Sequence, residues 1–313
     1  MENSVQPVLI SIVTPVYRAE NIIDELVRRI EEATKTITDD FEIILVEDGS
    51  PDNSWRKIIE NCSKNKFVKG IKLSRNFGQH YAITAGLEAS CGQYAVVMDC
   101  DLQDNPKYIP ELYKKALEGN EIVYTHKIKR KHSFLKNISA RFFFAMFNWL
   151  SNSKNANANV GSYSMLSRKA VNDFLKIKDF HRHYLMVLRW LGFTNSYIII
   201  EHEKRFAGNS SYNLYRLIKH AINGITSQSV KLLYISITIG ILFFLFSIAM
   251  AAYLVFMYFE SGYKAGWTST ILLMLLSTGL ILMSIGITGI YIGKIFEQVK
   301  DRPLFLIEKK INF

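Results

Sequence analysis

Short apolar runs alternate with stretches of helical periodicity from the start of the chain. Val8 to Thr14 is an apolar run that stops at Pro15 and predicts a first buried strand. Glu20 to Ile37 carries Ile22, Ile23, Leu26, Val27 and Ile30 on one stripe, the spacing of an amphipathic helix. Phe41 to Val46 predicts a second strand, closed by Glu47-Asp48-Gly49-Ser50. Pro51-Asp52-Asn53-Ser54 then opens a helix, with Asp52 or Ser54 as its N-cap. Val68 to Leu73 predicts a third strand, followed by Arg75-Asn76-Phe77-Gly78 and a helix through Ser90. Tyr94 to Met98 predicts a fourth strand. Pro106 and Pro110 start the next helix, and Glu121 to Thr125 is a further strand. Four β–α repeats at this spacing predict an α/β, Rossmann-like fold: a mostly parallel sheet with right-handed crossovers.

The pattern changes after about residue 230. Leu232 to Phe259 and Ala265 to Gly293 contain no charged residue. Each exceeds the ~20 residues that span a bilayer core. A buried helical hairpin of a soluble protein is the other reading of such runs. The short link Glu260 to Gly266 makes the two antiparallel, with Tyr258, Tyr263 and Trp267 at the turn, as interfacial aromatics are. Arg216, Lys219 and Lys231 precede the first run, and Lys294, Lys300, Arg302, Lys309 and Lys310 follow the second. The positive-inside rule then puts both termini on the cytoplasmic side of a plasma (inner) membrane.

The chemistry collects where predicted strands end: Tyr17 to Glu20, Glu47-Asp48, Arg75-Asn76, and Asp99 to Asp104. In an open α/β sheet these ends share one edge, where ligands bind. Asp99 and Asp101 lie on one face of an extended chain, because side chains alternate with period two. Two carboxylates so placed can hold Mg²⁺ or Mn²⁺ bridged to phosphates, and Arg75 can meet a phosphate. Ordinary polar βα loops are the bland alternative for any one of these stretches.

Composition narrows the partners. The 313 residues are 49% hydrophobic with a formal net charge of +10, a balance that suits an anionic partner. The basic residues cluster beside the apolar spans and form no known nucleic-acid module, so nucleic acid is not an expected partner. Cys62, Cys91 and Cys100 have no metal-like spacing and read as reduced cytosolic thiols. No GxGxxG follows the first strand and no GxxxxGK[ST] occurs, which disfavours a dinucleotide dehydrogenase and a P-loop NTPase.

Thr14-Pro15-Val16-Tyr17, Glu47-Asp48-Gly49-Ser50, Arg75-Asn76-Phe77-Gly78, Ala85-Gly86 and Met98 to Asp104 together resemble family 2 glycosyltransferases of the GT-A fold. The two C-terminal spans, with Lys300-Asp301-Arg302-Pro303 after them, are similar to the bacterial polyisoprenyl-phosphate glycosyltransferases. These are related to the dolichol-phosphate mannose and glucose synthases. The resemblance covers nearly all of the chain. It implies a GT-A catalytic domain over residues 1–213, including an interfacial helix at about 134–150. An amphipathic interfacial helix at 214–231, two transmembrane helices within 232–293 and a cytoplasmic tail at 294–313 would follow.

The same resemblance implies an inverting transfer of a hexosyl residue, glucose from UDP-glucose in the first instance, to a polyprenyl phosphate. Pro15, Tyr17 and Glu20 would line the nucleoside pocket, Asp48 would accept from the base, and Arg75 would lie near the donor phosphates. Asp99 and Asp101 would hold the donor through Mg²⁺ or Mn²⁺, with Gln103 and Asp104 facing the sugar. Arg205, with Ser210 and Tyr212 in the same segment, would meet the acceptor phosphate. A homo-oligomer is implied, with a tetramer as the candidate state. The runners-up are a family 2 enzyme with another lipid or glycan acceptor and a catalytically impaired membrane assembly partner.

One departure matters for mechanism. Many relatives carry a Gly-Asp-Phe-Arg segment whose Asp is a proposed general base; here it reads Gly161-Ser162-Tyr163-Ser164. A phosphate monoester nucleophile, with a second pKa of about 6, is largely dianionic at neutral pH and needs little proton abstraction. Around the site, the basic run His126 to Lys136 precedes an aromatic-rich stretch, Phe134 to Leu150, that reads as an interfacial helix. Leu214 to Leu233 reads in the same way. His80 could contact the donor sugar or simply start its helix, and no role follows for His181 or His183.

Overall fold

The computed structural model describes residues 8–127, 160–201, 231–261 and 266–313. The described residues form two compact units: 8–127, 160–201 and 302–313 make one, and 231–261 with 266–301 the other. Most of the basic run and the stretches 134–150 and 214–230 lie outside the described residues.

The first unit is built on one sheet. Its elements are β1 (Ile10–Val16), α1 (Ile23–Lys35), β2 (Phe41–Glu47), α2 (Ser54–Lys64), β3 (Val68–Leu73), α3 (Gln79–Ala89), β4 (Tyr94–Val97) and α4 (Ile109–Leu117). These are followed by β5 (Ile122–Lys127), β6 (Val160–Ser167), α5 (Arg168–Lys176), α6 (Tyr184–Leu191) and β7 (Asn195–Ile200). A last strand, β8 (Ile307–Ile311), follows the two long helices in the chain. The strand order is β7-β5-β6-β4-β1-β2-β3-β8. β1 is parallel to both β2 and β4, and β2 to β3. Among the described strands only β6 and β8 run against the rest.

The alternation of strand residues builds two cores. Ile12, Ile43, Leu45 and Val96 pack with Leu26 of α1, Ile58 of α2 and Leu112 of α4 on one face. Val13, Ile44, Val46 and Val97 pack with Ile83 of α3, Val171 of α5 and Tyr184 of α6 on the other. Both faces are covered, which is why β1 and β2 are buried at every position and read as unbroken apolar runs. Gly86 of α3 lets that helix lie close on the sheet: a Cβ there would stand 2.3 Å from Val13 Cγ1.

Three details depart from the sequence reading. β1 runs through Pro15 to Val16, because its pairing with β4 has already ended at Val13 and the missing N–H breaks no bond on that side. α2 has Asn53, not Asp52 or Ser54, at its N-cap, and the Asn53 side chain makes no cap bond. The Asp52 carboxylate instead accepts from the Ser54 N–H, and Glu20 accepts from the Asn53 N–H. The C-terminal residues are not a tail alone. β8 pairs antiparallel with β3, Ser74 N–H donates to Leu306 O, and Asn312 Nδ2 donates to both Cys62 O and Val68 O.

The second unit holds α7 (Lys231–Ser261) and α8 (Trp267–Val299). Within them Leu233–Met257 and Leu276–Val299 are long and apolar enough to cross a membrane, with mean hydropathies of 2.5 and 1.7. Ser236 Oγ donates to Ser284 Oγ at 2.8 Å, joining the two helices. Phe244, Leu245, Met283 and Ile285 are among many large apolar side chains left exposed along them.

Candidate active site

β1 is the turning point of the sheet: β2 and β3 lie on one side of it and β4 on the other. At such a reversal the βα loops diverge and leave a crevice beyond the strand ends. Tyr17 to Glu20 follows β1, Asp48 to Asn53 follows β2, Arg75 to Gly78 follows β3, and Asp99 to Asp104 follows β4. The four polar stretches therefore gather at one edge, as their spacing predicts.

The loops after β1 and β2 are sewn together. Arg18 and Ala19 N–H groups donate to Ser50 Oγ and Ser54 Oγ, at 2.8 and 3.0 Å, and the Glu20 N–H donates to Asp52 at 3.2 Å. Glu20 Oε2 accepts from the Asn53 N–H at 2.9 Å. Burial opposes ionisation of Asp52, but hydrogen bonds from Ser50, Ser54 and the Glu20 N–H hold its carboxyl below the usual range. Pro15 is buried in β1, whereas Tyr17 stands 44% exposed with the Arg18 guanidinium over its ring.

Asp48 ties β2 to the loop after β3. It is 3% exposed, and its two oxygens accept from the Phe77 N–H at 2.7 Å and the Gly78 N–H at 2.9 Å. Its own carbonyl accepts from Asn76 Nδ2 at 2.8 Å. Burial pushes its carboxyl above the usual range, against the pull of those two N–H groups. Burial does the same to neighbouring Glu47, which accepts from the Ser50 N–H. Gly49 makes the join possible. Its φ is +59°, and a Cβ there would lie 2.2 Å from Asn76 N. Arg75 is exposed at this loop, with its guanidinium over the Phe77 ring at 4.3 Å.

The acidic stretch after β4 is half-buried. Asp99 Oδ1 accepts from Gln79 Nε2 at 2.7 Å and from Ser162 Oγ at 3.0 Å. Asp101 Oδ1 accepts from the Gln103 N–H at 3.2 Å. Between Asp101 and Gln103, Leu102 drops into the core with φ at +57°, a left-handed turn for a branched residue. That turn leaves Asp101 and Gln103 half-exposed while Asp104 is buried at 1%. Arg205, Ser210 and Tyr212 lie outside the described residues.

Asp99 and Asp101 are hard oxygen donors of the kind Mg²⁺ and Mn²⁺ take. Among the described residues, no cluster of three or more His, Cys, Asp or Glu forms a closed metal cage. A pair of carboxylates fits a cation that completes its shell with diphosphate oxygens and water, and not a structural metal. Two partners escaped the sequence reading, Gln79 and the hydroxyl of Ser162. Gln79 directly follows the Arg75 to Gly78 stretch, which is the one signal that could have found it.

The glycosyl transferase family 2 model matches residues 11–175, from β1 almost to the end of α5 and just over half the chain. An uncharacterized glycosyltransferase of Bacillus subtilis is 34% identical, over 96% of this chain and 93% of that protein. The SfII prophage-derived bactoprenol glucosyl transferase of Shigella flexneri is 30% identical, over 96% and 97%. The undecaprenyl-phosphate 4-deoxy-4-formamido-L-arabinose transferase of Yersinia pestis is also 30% identical, over 97% and 94%. Among solved structures, glucosyl-3-phosphoglycerate synthase of Mycobacterium tuberculosis with Mn²⁺ and UDP aligns over 70% of this chain and 76% of that one, with 18% identity and a TM-score of 0.49. With its mixed sheet, its crevice at the strand reversal and the match from β1 onward, the chain belongs to glycosyl transferase family 2 and is a GT-A glycosyltransferase.

Proposed function

We propose that this glycosyltransferase moves a hexosyl residue from a nucleotide sugar to a polyprenyl phosphate, with inversion at C1. UDP-glucose is the first donor to test. The observation that carries the reading is the carboxylate pair Asp99 and Asp101 at the crevice, with Asp99 held by Gln79 and Ser162. The names of the Shigella and Yersinia relatives, a bactoprenol glucosyl transferase and an undecaprenyl-phosphate sugar transferase, support the acceptor. The helices α7 and α8 are long and apolar enough to cross a membrane. The basic residues at their ends, Lys231 at the start of α7 and Lys294, Lys300 and Arg302 at or after the end of α8, favour an inner-membrane protein with the catalytic unit and both termini cytoplasmic. A homo-oligomer belongs to the same reading.

In this mechanism Asp99 and Asp101 would hold Mg²⁺ or Mn²⁺, which would supply Lewis-acid charge to the leaving diphosphate. Asp48, expected to accept from the base, has its two carboxylate oxygens engaged by the Phe77 and Gly78 N–H groups and keeps the loop after β3 in place, and Arg75 on that loop meets the donor phosphates. Tyr17 and Glu20 border the nucleoside and Gln103 borders the sugar, whereas Pro15 and Asp104, expected to do the same, are buried in the fold. The acceptor phosphate, dianionic above its second pKa of about 6, attacks C1 as the C1–O bond to the diphosphate breaks. No strong base is required, so Ser162 is compatible with turnover. Arg205, Ser210 and Tyr212 are assigned to the acceptor phosphate on the family resemblance. There a guanidinium offsets the repulsion between two anionic reactants.

The test is a panel of radiolabelled UDP-, GDP- and dTDP-sugars given to the purified full-length protein with Mn²⁺ or Mg²⁺ and undecaprenyl phosphate. The expected result is label in the organic phase with one donor. Absence of lipid-linked sugar with every donor rejects the reading.

A further inference from the structure

Ser162 lies on β6, which pairs antiparallel with β4, so it comes level with the residues that leave the end of β4. Its hydroxyl donates to Asp99 Oδ1 at 3.0 Å, and Gln79 Nε2, at the first turn of α3, donates to the same oxygen at 2.7 Å. The two donors come from opposite sides in the chain, one on a strand and one on a helix, and both are neutral. Each fixes the carboxylate without cancelling its charge, as a partner behind a metal ligand does.

The serine is itself held from below. Ser164 Oγ donates to the Ser162 carbonyl at 2.9 Å, and Tyr184 Oη lies 2.8 Å from Ser164 Oγ. With the Ser164 proton on that carbonyl, Tyr184 is the donor to Ser164. Ser164 and Tyr184 are both wholly buried, and Tyr184 packs edge-on against Phe174. A rigid core residue thus sets the peptide that aims Ser162 at Asp99. Steps along the relay are Tyr184, Ser164, Ser162 and Asp99. A serine hydroxyl does not take up a proton at neutral pH, and here its hydrogen is directed at the carboxylate.

We infer that Ser162 and Gln79 are positioning residues for Asp99, so that position 162 serves the metal-side carboxylate and not proton removal from the acceptor. This rests on the donor-binding reading above. The measurement is calorimetric titration of UDP or GDP, whichever the wild type binds, into the full-length protein in detergent, with Mn²⁺ and with EDTA. Ser162→Ala and Gln79→Ala should each weaken Mn²⁺-dependent binding about 10-fold, the low end of what supporting partners of metal ligands cost. Binding in EDTA should not change, and Ser162→Thr, which keeps the hydroxyl, should restore affinity. Unchanged Mn²⁺-dependent affinity in both alanine variants overturns the inference. So does equal loss with and without metal, or a lowered melting temperature that accounts for the loss, because either marks a merely structural role. A wild type that binds nucleoside diphosphate equally with and without Mn²⁺ removes the donor reading itself, and this inference with it.

Discussion

The two edges of the sheet treat carboxylates in opposite ways. At the edge where β2 begins, Glu42 is 2% exposed and closed in by complementary groups. It accepts from Ser11 Oγ at 2.6 Å and the Cys91 N–H at 2.8 Å, and it pairs with Lys69 at 2.7 Å. Burial works against its ionisation, yet the Cys91 N–H, Lys69 and Ser11 together hold its carboxyl below the usual range. At the edge where β4 ends, Asp99 and Asp101 are half-exposed and met by an amide, a hydroxyl and a backbone N–H. The first arrangement neutralises a charge within the fold. The second leaves two carboxylates half-exposed at the strand ends, where a cation can be bound. Asp48 is intermediate: it sits at the active edge, but its buried oxygens lock a loop.

That contrast can be broken from either side. The largest effect is expected from Asp101→Ala, which should cut turnover roughly 10³-fold, the equivalent of several kcal/mol of Lewis-acid stabilisation. Its melting temperature should stay near that of the wild type, as read by kinetics beside a thermal melt. Lys69→Met at the opposite edge should do the reverse. It strands a buried carboxylate and should cost about 3 kcal/mol of stability, with nucleotide affinity unchanged in the protein that remains folded. Gly49→Ala should affect both properties. A left-handed alanine costs roughly 1–2 kcal/mol before its clash with Asn76, and the displaced loop carries Arg75. A drop in melting temperature together with weaker donor binding is the expected pair of readings.

The smallest expected effect is in pH dependence. Because the Glu42 carboxyl lies below its unfolded value, its contribution is fully present above the unfolded pKa of about 4.3 and is lost as pH falls through the folded value. Melting temperature against pH should therefore fall on the acid side, and Glu42→Gln should flatten that limb. An unchanged acid limb in the variant would mean Glu42 does not carry the term.

The legible parts of this molecule were those with a strong period or an abrupt change of polarity. β1, β2 and the fourth strand announced themselves as apolar runs, the latter two ending in acids, and α1 as a stripe of Ile23, Leu26, Val27 and Ile30. β8 did not, because Ile-Glu-Lys-Lys-Ile is an exposed edge strand whose hydrogen bonds and Asn312 anchor hold it, with little apolar burial to mark it. β6 carries Gly161 and three serines, and its place between β4 and β5 follows from long-range pairing that no local pattern records. The same holds within the site. Asp99 and Asp101 stand out by type and spacing, whereas Gln79 and Ser162 acquire meaning only when α3 and β6 are brought beside β4.

The most direct test of the central claim is the organic-phase label formed by purified full-length protein from UDP-[¹⁴C]glucose and undecaprenyl phosphate, with Mn²⁺, with EDTA, and in Asp101→Ala. The account predicts lipid-linked glucose only in the wild type with metal. Product formed equally in EDTA or in the Asp101→Ala variant would contradict it.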